Sequence, residues 1–89
     1  MKQWKEELAD ALVGMATFAK IVPLKDIAAQ HDINHINRSD VMDIVHALKK
    51  RLPDYRPVQL INTPNDSLFQ SLCFVQNDVE FDDGAEFVD

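Results

Sequence analysis

The chain has 89 residues, with 46% apolar and 27% charged side chains, which suits one domain that folds unaided but is too short for a core plus a deep substrate cavity. Its charge is unevenly placed: residues 1–77 carry nine basic and nine acidic side chains, whereas residues 78–89 hold six acids and no base, so the net charge of -6 belongs to the C-terminal stretch. A single cysteine, Cys73, excludes an intrachain disulfide, and the longest apolar run, "ALVGMATFA", is far shorter than a bilayer span; a reducing cytoplasmic setting without signal peptide or membrane segment is expected.

From Gln3 to about Lys20, Trp4, Leu8, Ala11, Met15 and Phe18 recur at spacings of four and three, which predicts a first helix with these residues along one side. Leu12, Ala16 and Ala19 widen that side beyond what one small core covers. The face therefore serves either the core alone or the core and a homodimer contact, for which Gly14 would allow close approach. In "IVPLKDIAAQHDI", Pro23 stands where a first helical turn tolerates it and Leu24, Ile27, Ala28 and His31 share a face, so a short second helix follows.

The polar stretch "NHINRSD" leads into the clearest element. Asn37 and Asp40 stand as an N-cap and its third helical residue, and Val41, Ile44, Val45, Leu48 and Leu52 fall within about a third of the helical wheel. Pro53 stops this third helix. Its opposite side shows Ser39, Asp43, His46 and Lys50, flanked by Met42 and Lys49. The run Lys49, Lys50, Arg51 also suits the negative end of the helix dipole, so it has a structural reading as well as a functional one.

Beyond "PDYRP", "VQLIN" reads as a strand and "TPNDS" as a turn. "LFQSLCFV" has two readings. As a strand it pairs with "VQLIN" in a hairpin, which its aromatic and β-branched content favours; as a helix it would start from Thr63, Pro64 and Asp66 as cap, first residue and third residue. The expected fold is α+β and mainly helical: a three-helix core followed by a β-hairpin over residues 1–77, then an acidic flexible tail over 78–89.

Three helices and a hairpin form the element order of a winged helix-turn-helix domain, and "KDIAAQHDI" resembles the second helix of that superfamily. Ile27 and Ala28 match the buried pair that lets the third helix pack closely, and Ile33 matches the apolar residue after the turn. Asp32 occupies the turn position where the family usually has glycine. The resemblance spans roughly residues 10–76 and implies that the helix from about 38 to 52 enters the DNA major groove, with "NTPND" at the tip of the wing. Asn37, Arg38, Ser39, His46 and Lys50 would then face DNA, and Lys49, Arg51 and Arg56 would neutralise phosphates. Asp43 would repel the backbone, and the neutral body departs from the usual basic character of DNA-binding domains.

The acidic tail spans about 40 Å fully extended, at roughly 3.3 Å per residue, enough to cover any basic face of a domain this size and act as a tethered mimic of nucleic acid. Its interleaved aromatics make Phe81, Asp82, Asp83 and Phe87 candidates for docking in a partner's basic, apolar-lined groove. In composition it is similar to the acidic, aromatic-bearing C-termini of single-stranded-DNA-binding proteins; the plain alternative is a solubilising tail. No metal site is expected, because His31 and His35, although four apart, straddle the expected end of a helix. Cys73 reads as a buried small hydrophobe, and no phosphate-cradling loop or nucleophile elbow is present. Two functions remain: a non-enzymatic, cofactor-free DNA-binding regulator or accessory factor, dimeric through its first helix, or a protein-interaction module of the adaptor type that uses the tail for docking.

Overall fold

A computed structural model of the chain describes residues 3–60 and 67–80 and the backbone of 85–87. Helix α1 runs from Trp4 to Ala16 and buries Leu8, Ala9 and Leu12. It stops four residues short of the expected end because a strand takes over: β1, Ile21–Pro23, pairs antiparallel with a later strand, setting Val22 opposite Phe74. Two β-branched residues before a proline favour extended backbone, and proline is tolerated at a sheet edge. Pro23 consequently serves as the extended N-cap of α2, Leu24–Gln30, and lies just outside the helical turn.

The turn after α2 passes through a left-handed residue. Asp32 has φ 60° and is the one non-glycine residue with positive φ among the described residues. The Ile33 N–H donates to the Ala28 carbonyl at 2.9 Å, closing the helix end through that left-handed residue. Ile27 and Ala28 are buried as expected, Ile33 packs against the core, and Ile36, which the helical pattern did not single out, is buried too.

Helix α3 spans Arg38–Arg51 and buries Val41, Ile44, Val45 and Leu48, with Leu52 packed against the same cluster. Strand β2, Tyr55–Leu60, follows directly. The ambiguous segment holds both expected structures in succession: one helical turn, α4, Leu68–Ser71, and then β3, Leu72–Gln76. Its cap is Ser67, whose side chain accepts from the Gln70 N–H while the Gln70 side chain accepts from the Ser67 N–H, a reciprocal capping box. The cap expected at Thr63 lies outside the described residues.

Strand β3 pairs antiparallel with β1 on one side and β2 on the other, and β4, Ala85–Phe87, adds to the outer edge of β2. The sheet order is β1-β3-β2-β4. The proline in β2, Pro57, falls just outside the β4 register, which covers Val58–Leu60. As the central strand, β3 is buried on both faces, which accounts for its continuous apolar run. Leu72 and Phe74 face the helical core with Leu8, Leu12, Leu24, Ile44 and Leu48, while Cys73 and Val75 form a second cluster with Val58 on the far face.

The boundary expected at 77/78 falls inside a turn tied to the body on both sides. Asn77 donates from its N–H to the Asp54 carbonyl at 2.8 Å and from its side chain to the Pro53 carbonyl at 3.2 Å. Asp78 pairs with Lys20 at 3.3 Å, and Val79 packs on the far-face cluster. Of the tail expected to be flexible, Ala85–Phe87 pair with β2; residues 81–84 and 88–89 lie outside the described residues. No described helix is long and apolar enough to cross a membrane.

Candidate nucleic-acid interface

The N-terminus of α3 is set by Asn37, whose side-chain oxygen accepts from the Asp40 N–H at 2.9 Å. With that start fixed, burial of Val41, Ile44, Val45 and Leu48 against the core turns the opposite side of the helix outward. Ser39, His46 and Lys50 lie along the middle of that open side, and Arg38 and Lys49 border it; all five are exposed. Arg38, Lys49 and Lys50 form no ion pair with a described residue. Asn37 is exposed at the entrance, with its oxygen occupied by the cap and its amide nitrogen facing no described acceptor.

Two of the sequence-based candidates do not join this group. Arg51 lies on the flank facing α1, where its guanidinium pairs with Asp10 at 2.7 Å. Arg56 is half-buried on β2 and donates to the backbone carbonyls of Gln76 and Val79, fastening the end of β3 and the turn after it. Of the tail candidates, Phe81, Asp82 and Asp83 lie outside the described residues. The Phe87 backbone is in β4, opposite Val58.

The acids on α3 are not left facing solvent alone. Lys5, which the sequence pattern does not single out, places its Nζ 2.9 Å from Asp40 Oδ1 and 2.8 Å from Asp43 Oδ2. The hydrogen bond from Lys5, and then its charge, hold the Asp43 carboxyl below the usual carboxylate range. The same bonds, Asp43 first and Asp40 second, raise Lys5. The Lys5 ammonium also stands 5.9 Å from the centre of the Trp4 ring, within cation–π range. Beneath these groups the hollow between α1 and α3, with Ala9, Ile44 and Ala47 in its wall, has a volume of about 210 Å³, below the range of about 300 to 1,000 Å³ usual for small-molecule pockets.

The histidines do not share a helix: α2 ends at Gln30, His31 is its C-cap, and His35 lies beyond Asp32 with its ring edge-on to Phe69 at 6.2 Å. Among the described residues no group of three His, Cys, Asp or Glu is placed to hold a metal ion. Cys73 is buried, and desolvation, ahead of the nearby Asp26 charge, pushes its thiol up, away from the thiolate a nucleophile needs. No protein-family model matches the chain, and neither a curated protein nor a solved structure matches it significantly.

Proposed function

We propose that this chain is a small non-enzymatic DNA-binding regulator or accessory factor that lays α3 in the major groove of duplex DNA, in the manner of a winged helix-turn-helix domain. The observation that carries the reading is the open side of α3: Arg38, Lys49 and Lys50 unpaired with any described acid, Ser39 and His46 between them, and the acids, Asp43 on that side and Asp40 on the flank, already bound to Lys5. An overall neutral body then still presents one locally cationic helix face. The element order supports the same reading, since three helices precede the antiparallel β2–β3 pair, although α4 is inserted between the two strands.

The acidic segment restrains this face. Its root is tied by Asn77 to the carbonyls of Pro53 and Asp54, directly after the basic last turn of α3. Once β4 leaves the edge of β2, the segment is a short tether with an effective concentration on the order of millimolar, against non-specific DNA dissociation constants of about 10⁻⁴ to 10⁻⁶ M, so even a weak contact suppresses non-specific binding. The same segment is suited to recruiting a partner. Self-association through α1 completes the proposal.

The test is an anisotropy titration of mixed-sequence duplex with the full chain and with a full-length variant in which Asp82, Asp83, Glu86 and Asp89 are replaced by their amides. The amide variant binds more tightly, and both proteins lose affinity steeply with salt. A second reading, a protein-docking module without DNA affinity, is favoured by the 89% exposure of Phe18 beside the 44% exposure of Ile21. Absence of binding by both proteins at low salt establishes that reading over the first.

A further inference from the structure

Lys5 and Asp43 are 38 residues apart, and their ion pair is exposed, with side-chain accessibilities of 29% and 57%. Pairs this exposed add little to stability, so the arrangement matters chiefly for the charge it presents. Asp43 follows Ser39 by four residues and precedes His46 by three and Lys50 by seven, which places it on the same side of α3 as all three. Asp40 lies one turn earlier on the flank toward α1. At about 1.5 Å of rise per residue, Asp43 lies about 10 Å along the helix from Lys50, about one Debye length at 0.1 M salt, and Asp40 about 15 Å, so unpaired they would repel a phosphate backbone laid along the open side chiefly over its first half, from Arg38 to His46, and most strongly at low salt. A cation 2.8 to 2.9 Å from both carboxylates leaves only one excess negative charge and shortens the range of their field.

We propose that Lys5 is a positioning residue of the nucleic-acid surface: by bridging Asp40 and Asp43 from the neighbouring helix, it lowers the electrostatic barrier at the first half of α3 and lets a phosphate backbone lie along the open side of the helix. This rests on the DNA-binding reading above. Lys5 acts through the two acids and makes no phosphate contact of its own. It is the second residue of α1, and its ammonium also lies over the Trp4 ring.

The test uses full-length protein and a mixed-sequence 20-base-pair duplex at about 50 and 200 mM salt. Four forms are compared with wild type: Lys5→Gln, Lys5→Arg, Asp40→Asn with Asp43→Asn, and the triple variant. Lys5→Gln is expected to weaken binding on the order of tenfold at the lower salt and less at the higher, whereas Lys5→Arg retains wild-type affinity. The double Asn variant binds at least as tightly as wild type, and adding Lys5→Gln to it changes affinity less than about twofold, because the charges Lys5 masks are gone. Equal binding by wild type and Lys5→Gln overturns the inference. A tenfold loss that persists in the double Asn background also overturns it, by showing a direct phosphate contact. No binding by wild type overturns the DNA reading itself and this inference with it.

Discussion

The Tyr55 hydroxyl stands 2.8 Å from the carbonyl oxygen of Ala16, the last residue of α1. It also lies 2.7 Å from the Ala19 carbonyl, so one proton is shared between two acceptors in the turn that leads into β1. The contact joins the first strand residue after α3 to the end of α1, and so helps fix the angle at which α3 is presented. Tyr55→Phe strips both carbonyls of this donor in a half-buried place. A loss of about 1 to 2 kcal/mol is expected, read as a lower urea midpoint at unchanged m-value. An unchanged midpoint would mean that water replaces the hydroxyl without cost.

Asp32 holds a left-handed backbone at φ 60°, which aspartate tolerates better than most residues but less well than glycine. Asp32→Gly is expected to raise stability by about 0.5 to 1 kcal/mol, the relief of strain less the entropy that glycine adds to the unfolded chain. Asp32→Val, β-branched, is expected to lower it by more than that. Equilibrium unfolding of the two variants decides the matter, and a stability order with valine above glycine contradicts the account.

What was legible before the structure was local. The Asn37 cap and the buried stripe of α3 both rest on residues three and four apart, and both stand as read. The hydroxyl-and-amide logic of the Ser67–Gln70 box is equally local, but Thr63, Pro64 and Asp66 offer a more familiar helix start nearby. Strand β1 has three residues and no period to detect; it exists because β3, some 50 positions later, offers a free edge. The resemblance implies that Arg56 neutralises phosphate, whereas the end of β3 and the following turn present it with two carbonyls. Lys5 escaped notice for the same reason: its partners are supplied by a helix more than thirty residues away.

The Lys5–Asp43 pair has a pH signature whose sign is fixed. The Asp43 carboxyl is lowered by the hydrogen bond and charge of Lys5, so its contribution is present above the unfolded-state value of about 4 and is lost as pH falls through the folded one. Lys5 is raised, so its contribution is complete below about 10.4 and disappears as pH rises through its folded value. Thermal unfolding of Asp43→Asn should therefore differ from wild type most near neutral pH and converge on it in acid. The gap should also shrink in high salt, as for any exposed pair. A gap that widens in acid would contradict the assignment.

Phe18 is 89% exposed just beyond α1, and Trp4 at the other end of the helix is 40% exposed. Gly14 between them meets nothing within 4 Å where a Cβ would stand, so the monomer itself does not require a glycine there. If α1 carries a homodimer contact, sedimentation of the wild type shows a dimer that Phe18→Ser shifts to monomer, with stability of the monomer changed by less than about 0.5 kcal/mol. A wild type that remains monomeric at high concentration removes dimerisation from the proposal.

Arg38 and Lys50 sit at opposite ends of the open side of α3 and should fail in different ways. Arg38, in the first turn, is placed where an N-terminal residue of a groove-bound helix meets base edges, and its fork suits guanine. Arg38→Ala should cost about 1 to 3 kcal/mol on sites selected from randomised duplex and little on unselected sequence, so that preference relaxes. Lys50, in the last turn, would on the proposed reading offer a point charge to phosphate. Lys50→Ala should weaken binding to all sequences and reduce the slope of log affinity against log salt by about 0.9. The two effects separate because base contacts discriminate and phosphate contacts release counterions. Selection followed by salt titration of both variants measures each; unchanged binding in both would remove α3 from the interface and leave the docking-module reading standing.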